Sequence, residues 1–169
     1  MNTLFNCNVK RETRLYLANI SHPASRIFPL LCPTREYDWI EGWECDLLYS
    51  ESGFAEQDCI FQCRILNETL LETWILDLYQ PDEKVQFCIH MDGCIIRYTI
   101  TLFEKPDHTT ISTWHMTLTA FNEAGRQFLA ENNPEVFQAK FSIFEAMLNH
   151  YLETGKKYAL KPPQSLQMD

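Results

Sequence analysis

An Asp-Gly dipeptide between two alternating runs is the feature that most restricts how this 169-residue chain can fold. Asp92-Gly93 separates residues 84–91 from residues 94–103. Asp-Gly in such a setting is a strong signal for a β-hairpin, because a two-residue type I′ turn needs positive φ at both central residues. The turn would place Met91 opposite Cys94.

Side-chain alternation in the two runs agrees with this pairing. With Met91 opposite Cys94, odd-numbered positions before the turn share a face with even-numbered positions after it. That face is apolar: Val85, Phe87, Ile89, Met91, Ile96, Tyr98, Ile100 and Leu102. The opposite face is mostly polar: Lys84, Gln86, His90, Arg97, Thr99 and Thr101. The pattern predicts an antiparallel sheet with one buried face.

Further strands are predicted on both sides of the hairpin, separated by turn signals such as Ser52-Gly53 and Pro81-Asp82. The seven predicted strands cover about residues 13–20, 44–50, 58–65, 72–79, 84–91, 94–103 and 109–121. Their apolar faces extend the buried face, with Cys59, Phe61, Cys63, Ile65, Trp74, Leu76, Leu78, Trp114, Met116, Leu118 and Ala120.

Two short helices are predicted after the first strand. Ser21 is a natural N-cap for the first, and Pro29 predicts a break near Phe28. Cys32-Pro33 opens the second, which reaches Trp39.

The last predicted element is a long helix. Asn133 caps it, Pro134 takes its first position and Gly155 lies just past its end. An apolar stripe at helical spacing is expected to cover the sheet: Phe137, Phe141, Phe144, Leu148 and Tyr151. The solvent side is predicted to carry Lys140, Glu145, Asn149 and Glu153.

This order of elements resembles the helix-grip fold of the START-related superfamily, often called SRPBCC, which includes pollen-allergen-like and polyketide-cyclase-like proteins. The resemblance is carried by Ser21-His22-Pro23 after the first strand, by Glu72–Tyr79 before Pro81-Asp82, and by Thr117–Gly125 before the last helix. It implies an α+β fold in which a curved seven-stranded antiparallel sheet wraps around the long helix. It also implies a hydrophobic small molecule bound between helix and sheet, with catalysis in only some branches.

The chain is predicted to be a single domain over residues 1–169, with a core at about 12–157 and a flexible tail at about 158–169. Its net charge of −9, from 14 basic and 23 acidic residues, argues against nucleic acid and against an anionic membrane surface. The N-terminus lacks the apolar segment of a signal peptide, and no run is long enough to span a membrane.

Seven cysteines without a CxxC pair or a zinc-type spacing predict free thiols in the cytoplasm. No metal site, cofactor or catalytic residue is expected, because the sequence contains no HExxH, GxSxG or phosphate-binding glycine loop.

The aromatic content, 11 Phe, 7 Tyr and 4 Trp, can fill a core or line a cavity. The predicted ligand-binding residues are Trp39, Trp74, Phe87, Ile89, Met91, Tyr98, Ile100, Trp114, Met116, Phe137, Phe141, Phe144 and Tyr151. The predicted polar groups of the pocket are Arg35, Glu36 and Tyr98, since apolar pockets usually carry a few oriented polar groups. Trp39 and Trp43 are expected to plug one end of the core and to form part of the cavity mouth.

Three functions remain open from the sequence. The first is non-catalytic binding of an apolar small molecule, such as a lipid, a sterol-like or a polyketide-like compound. The second is a cofactor-free enzyme of the cyclase or dehydratase kind, and the third is an interaction module with a closed core. The protein is expected to be a monomer or a homodimer, and to insert into no membrane.

Overall fold

The computed structural model describes residues 9–64 and 71–159. Seven strands form one antiparallel sheet in the order β1-β7-β6-β5-β4-β3-β2. The strands are β1 Lys10–Ile20, β2 Glu44–Tyr49, β3 Ile60–Arg64, β4 Glu72–Gln80, β5 Lys84–Met91, β6 Cys94–Glu104 and β7 Thr110–Ala120. The helices are α1 Ala24–Ile27, α2 Pro33–Glu36, α3 Glu123–Glu131 and α4 Pro134–Thr154, with a 3₁₀ turn at Phe28–Leu31. The predicted tail beyond Ala159 and the predicted end of the third strand at Ile65 lie outside the described residues.

The predicted register of the central hairpin is confirmed. Met91 lies opposite Cys94, and Phe87 lies opposite Tyr98. The predicted turn type is wrong, because Gly93 has a φ of 74° while Asp92 is not among the residues with positive φ. The turn is also bonded to the residue that follows β7, because the Phe121 N–H donates to the Gly93 carbonyl at 2.9 Å.

One position on the predicted buried face is wrong. The register between β4 and β5 shifts between Leu76 and Leu78, so that Leu78 pairs with Gln86 on the polar face. A β-bulge of this kind moves the following side chain to the other face. Tyr79 therefore packs on the core in place of Leu78, with its ring 5.2 Å from that of Phe28.

The short helical segment after β1 is close to the prediction. Helix α1 ends at Ile27, and α2 begins at Pro33 and stops at Glu36, before the predicted end at Trp39. The predicted cap at Ser21 is wrong, because Pro23 occupies the N-cap position without a side-chain hydrogen bond.

The long helix α4 covers the concave face of the sheet. Asn133 caps it by accepting from the Val136 N–H, and Gly155 ends it with a φ of 67°. The buried stripe includes Met147 and Leu152 in addition to the predicted phenylalanines, while Tyr151 is half-buried at its edge. Helix α3 was not predicted as a separate helix, and Asn122 caps it by accepting from the Gly125 N–H.

Two of the residues predicted on the solvent side of α4 instead hold the edge strand β1. Glu145 accepts from the Asn19 N–H at 2.7 Å and from the Tyr16 hydroxyl. Asn149 donates to the Asn19 carbonyl at 3.1 Å, and Gln138 donates to the Leu15 carbonyl at 2.8 Å. An edge strand leaves one row of backbone groups unpaired, and these side chains satisfy part of that row.

Candidate functional site

A cavity of about 90 Å³ lies where α4, the concave face of the sheet and the short helical segment meet. The predicted site residues that line it are Glu36, Trp39, Trp74, Ile89, Tyr98, Ile100, Trp114, Met116, Phe137, Phe141 and Phe144. The rings around it also contact one another, for example Trp114 and Phe141 with centroids 5.5 Å apart. The core is therefore closely packed around a small void.

Four predicted site residues lie away from this lining. Phe87 is buried beneath it, with its ring 5.2 Å from that of Trp74, and Met91 is buried at the end of β5. Arg35 and Tyr151 line a separate surface cleft. Arg35 pairs there with Asp38 at 2.7 Å, so it serves a local charge pair.

All four tryptophans of the chain line the cavity. Each indole N–H donates to a protein acceptor: Trp39 to Leu30 O at 2.8 Å, Trp43 to Pro33 O at 2.9 Å, Trp74 to Glu72 Oε2 at 2.8 Å and Trp114 to Ser112 Oγ at 2.7 Å. Because each indole N–H is already bonded to the protein, the tryptophans can offer a ligand only the carbon surfaces of their rings. Trp39 and Trp43 also fix the short helical segment, because both acceptors are its backbone carbonyls.

Glu36, at the end of α2, places a carboxyl group in this apolar lining. Within residues 9–64 and 71–159, the structure gives that carboxyl no hydrogen bond and no ion pair. Burial raises the pKa of Glu36 well above its ordinary value. The group therefore carries its proton over a wider pH range than an exposed glutamate does, and can donate a hydrogen bond.

Tyr98, at the centre of β6, presents the second polar group of the cavity. Burial raises the pKa of Tyr98 well above its ordinary value, and the nearby Glu36 adds to the rise. Its ring lies edge-to-face with Trp74 at 6.0 Å and with Phe141 at 6.0 Å. Its hydroxyl has no hydrogen-bond partner among the described residues, so it remains available to a ligand.

Solved structures share this architecture over most of the chain. A Thalictrum flavum norcoclaurine synthase variant, in complex with a transition-state analogue, matches with a TM-score of 0.63 at 9% identity, over 87% of this chain and 97% of its own. A Staphylococcus aureus protein of unknown function matches with a TM-score of 0.65 at 11% identity, over 89% and 98% of the two chains. The chain has the helix-grip fold.

A third helix-grip match is DynU16, from the dynemicin biosynthetic locus, with a TM-score of 0.59 at 15% identity. The match covers 85% of this chain but only 48% of DynU16, so the chain spans about half the length of that protein. No family model matches the sequence, and no curated protein matches it either. The predicted resemblance to the SRPBCC superfamily is thus confirmed at the level of the fold.

Two charged residues on the concave face of the helix-grip sheet were missed from the sequence. Arg14 lines the cavity with its side chain 6% exposed, pairs with Glu12 at 2.5 Å and keeps an Nε without a partner among the described residues. Glu72 lines it as well and accepts from Trp74. Side-chain alternation could have predicted both, because Arg14 lies on the same face of β1 as the buried Ala18, and Glu72 lies on the same face of β4 as the buried Trp74.

Lys140 is a third charged residue in the lining, although its helical position predicted the solvent side. Cys45 and Cys63 occupy directly opposed positions on β2 and β3, and all six described cysteines are free. Among the described residues, no cluster of three or more His, Cys, Asp or Glu side chains could hold a metal ion. None of the described helices is long and apolar enough to cross a membrane.

Proposed function

We propose that this protein binds a largely hydrophobic small molecule in the cavity beneath α4, with Glu36 and Tyr98 holding the polar group of the ligand. The observation that carries the proposal is the presence of two half-buried residues, Glu36 and Tyr98, whose polar groups have no hydrogen-bond partner among the described residues and face an aromatic lining. Buried polar groups are normally hydrogen-bonded, and those left open in a pocket are the ones that orient a ligand.

The size of the cavity restricts the ligand. About 90 Å³ is less than the roughly 150 Å³ of an engineered cavity that binds benzene. A compact ligand fits with small side-chain movements, whereas a lipid or a polyketide requires rings such as Phe141 and Trp114 to separate. The helix-grip neighbours agree with a role in small-molecule chemistry, since one is a norcoclaurine synthase and another comes from the dynemicin biosynthetic locus.

The test is a screen of small apolar compounds by tryptophan fluorescence and thermal unfolding. Fluorescence reports occupancy directly, because every tryptophan lines the cavity. A ligand at a hundredfold excess over its Kd stabilises the folded state by about 2.7 kcal/mol, which corresponds to a rise in Tm of roughly 5–10 °C for a chain of this size.

Variants locate the binding. Trp114→Leu should reduce the shift in Tm, whereas Phe103→Ala, at a side chain 67% exposed outside the lining, should leave it unchanged. A screen without any compound that moves either signal, or a Phe103→Ala variant that loses the shift as Trp114→Leu does, would count against binding at this site.

An acid–base enzyme is the second candidate, and the Glu36 carboxyl favours it. A carboxyl whose pKa is raised by burial, beside a phenol, is the pair expected of a general acid or base. Glu36→Gln would then abolish turnover of a bound compound while leaving its binding within a few-fold. The interaction module with a closed core is the weakest candidate, because the core encloses a void.

A cytoplasmic location is part of the proposal. It is supported by the free thiols of Cys45 and Cys63, which lie on opposed strand positions. In an oxidising compartment, two thiols so placed would be at risk of forming a disulfide.

A further inference from the structure

We propose that the polar group received by this cavity is an organic cation, a protonated or quaternary amine, with Glu36 as its counter-ion and with indole and phenol rings around it. This inference rests on the proposed function and specifies the chemistry of the ligand.

The Glu36 carboxyl lacks a cationic neighbour in the part of the chain that the structure describes. Arg35 precedes it on α2, but its guanidinium bonds Asp38 at 2.7 Å and lies outside the cavity lining. Burial is the only cause that shifts the pKa of Glu36, so no nearby lysine or arginine offsets it. The described residues therefore offer no cation to the Glu36 carboxyl when it ionises.

The rings on this side of the cavity are arranged to receive such a group. Trp43 and Trp74 meet at an interplanar angle of 87°, and Trp74 and Tyr98 meet at 83°. Successive perpendicular rings present π surface in more than one direction, and their indole N–H groups are already bonded to the protein. Cations are attracted to such surfaces, with tryptophan the strongest partner, and aromatic cages of this kind recognise ammonium groups.

The positive residues of the lining stand on the side of the cavity formed by β1 and α4. Arg14 and Tyr98 belong to one cross-strand row, with Met116 between them. Two strand spacings separate their backbones by roughly 10 Å, and Arg14 is already paired with Glu12 at 2.5 Å. Neither Arg14 nor Lys140 is among the causes that shift the pKa of Glu36, so a cation beside Glu36 avoids the strongest repulsion from them. The other titratable groups near Glu36 or lining the cavity are Tyr98, Glu72, Lys140, Cys45 and Cys63.

Cation binding has a signature that neutral ligands lack. At pH 5, just above the ordinary pKa of 4.5, the raised pKa of Glu36 leaves more of its carboxyl protonated than in an exposed glutamate, and a bound ammonium group favours the carboxylate. The amine arrives already protonated, so the proton displaced from Glu36 passes to the buffer. Amine binding therefore releases protons, up to one for each amine bound.

The experiment compares isoamylamine with isoamyl alcohol and methyl isobutyl ketone, three compounds of similar shape. Affinity is measured by tryptophan fluorescence and by calorimetry at pH 5 in buffers of different ionisation enthalpy. We expect the amine to bind at least tenfold more tightly than the alcohol and to release protons, up to one per amine, with none released by the alcohol. Glu36→Gln should lose both the preference and the proton release, and Asp38→Asn, the same change at a carboxyl outside the lining, should keep both.

Three results would overturn the inference: equal or tighter binding of the alcohol or ketone, amine binding without proton release, or an undiminished amine preference in Glu36→Gln. The proton count needs only the wild-type protein, so it holds even if the variant folds poorly. Binding of the neutral compounds with no amine preference would leave the proposed function standing. Failure of all three compounds and of the wider apolar screen would overturn both.

Discussion

The backbones of Gly93 and Gly125 are in direct contact, which joins the turn between β5 and β6 to the first turn of α3. A Cβ atom on Gly125 would lie 1.9 Å from the Gly93 carbonyl oxygen, and one on Gly93 would lie 1.8 Å from Asn122 Oδ1. Neither position has room for a side chain. The contact sets the place of α3, which supplies Phe128 to the cavity lining.

Gly125→Ala should therefore destabilise the protein by about 3 kcal/mol, at the upper end of the cost of overpacking, because the clash is with backbone. The matched control is Gly53→Ala, which has a φ of 78° but nothing within 4 Å of its added methyl group. That change should cost only about 1 kcal/mol through backbone strain. Urea unfolding of both variants measures the difference, and equal losses would show that the contact between the glycines can relax.

The raised pKa of Glu36 makes a prediction about pH. The folded protein holds this proton more tightly than the unfolded chain, whose carboxyl has the ordinary pKa of 4.5. Unfolding then becomes easier as the pH rises above 4.5, until the folded pKa is passed. Relative to wild type, Glu36→Gln should gain up to about 1.4 kcal/mol per pH unit in that window. Urea unfolding at pH 5, 6 and 7 tests this, and Asp38→Asn should not show the same trend.

The bond between Tyr16 and Glu145 should contribute measurably to stability. Burial, together with this bond, raises the pKa of Tyr16 to about 12. Tyr16→Phe removes a hydrogen bond to a charged group and should lower the free energy of unfolding at pH 7 by about 1.5–3 kcal/mol. Tyr49→Phe is the control, because its hydroxyl makes only an exposed bond of 3.4 Å to Glu51. Losses of the same size in both variants would contradict this account of the link.

The cysteines should be reduced and slow to react. Alkylation under denaturing, non-reducing conditions should add seven groups, and a mass lower by two hydrogens would reveal a disulfide. In the native protein, Cys45 should be alkylated slowly, because burial and then Glu36 raise its pKa to about 12. Cys63 should also be slow, because burial raises its pKa. Peptide mapping gives the labelling rate of each cysteine, with Cys88 on the outer face of the sheet as the reference. Equal labelling rates for Cys45, Cys63 and Cys88 would contradict this prediction.

Local patterns were sufficient to predict much of this fold. Alternation and the Asp92-Gly93 turn fixed the register of the central strands, because a slip by one residue would have turned Phe87 and Tyr98 toward solvent. The bulge after Leu76 was not visible in this way, because it depends on how β4 meets β5.

The polar part of the cavity was harder to predict. Glu36 and Tyr98 were among the predicted polar groups, but Arg14 and Lys140 were not. Helical spacing assigned Lys140 to the solvent side, because spacing alone does not show how far α4 lies from the sheet. Arg35 and Glu36 are adjacent in sequence, and only the docking of α2 determines which one lines the cavity.

The α4 side chains that bond the outer edge of β1 also restrict how one molecule can associate with another through its sheet edge. A foreign strand could pair with β1 at Leu15 and Asn19 only by displacing Gln138, Glu145 and Asn149 from backbone positions that they already occupy. At the opposite edge, the Tyr37 hydroxyl donates to the Cys45 carbonyl and accepts from the Cys45 N–H, both at 2.6 Å. On β2, self-association by strand addition would therefore have to start beyond Cys45, around the exposed Leu48 and Tyr49.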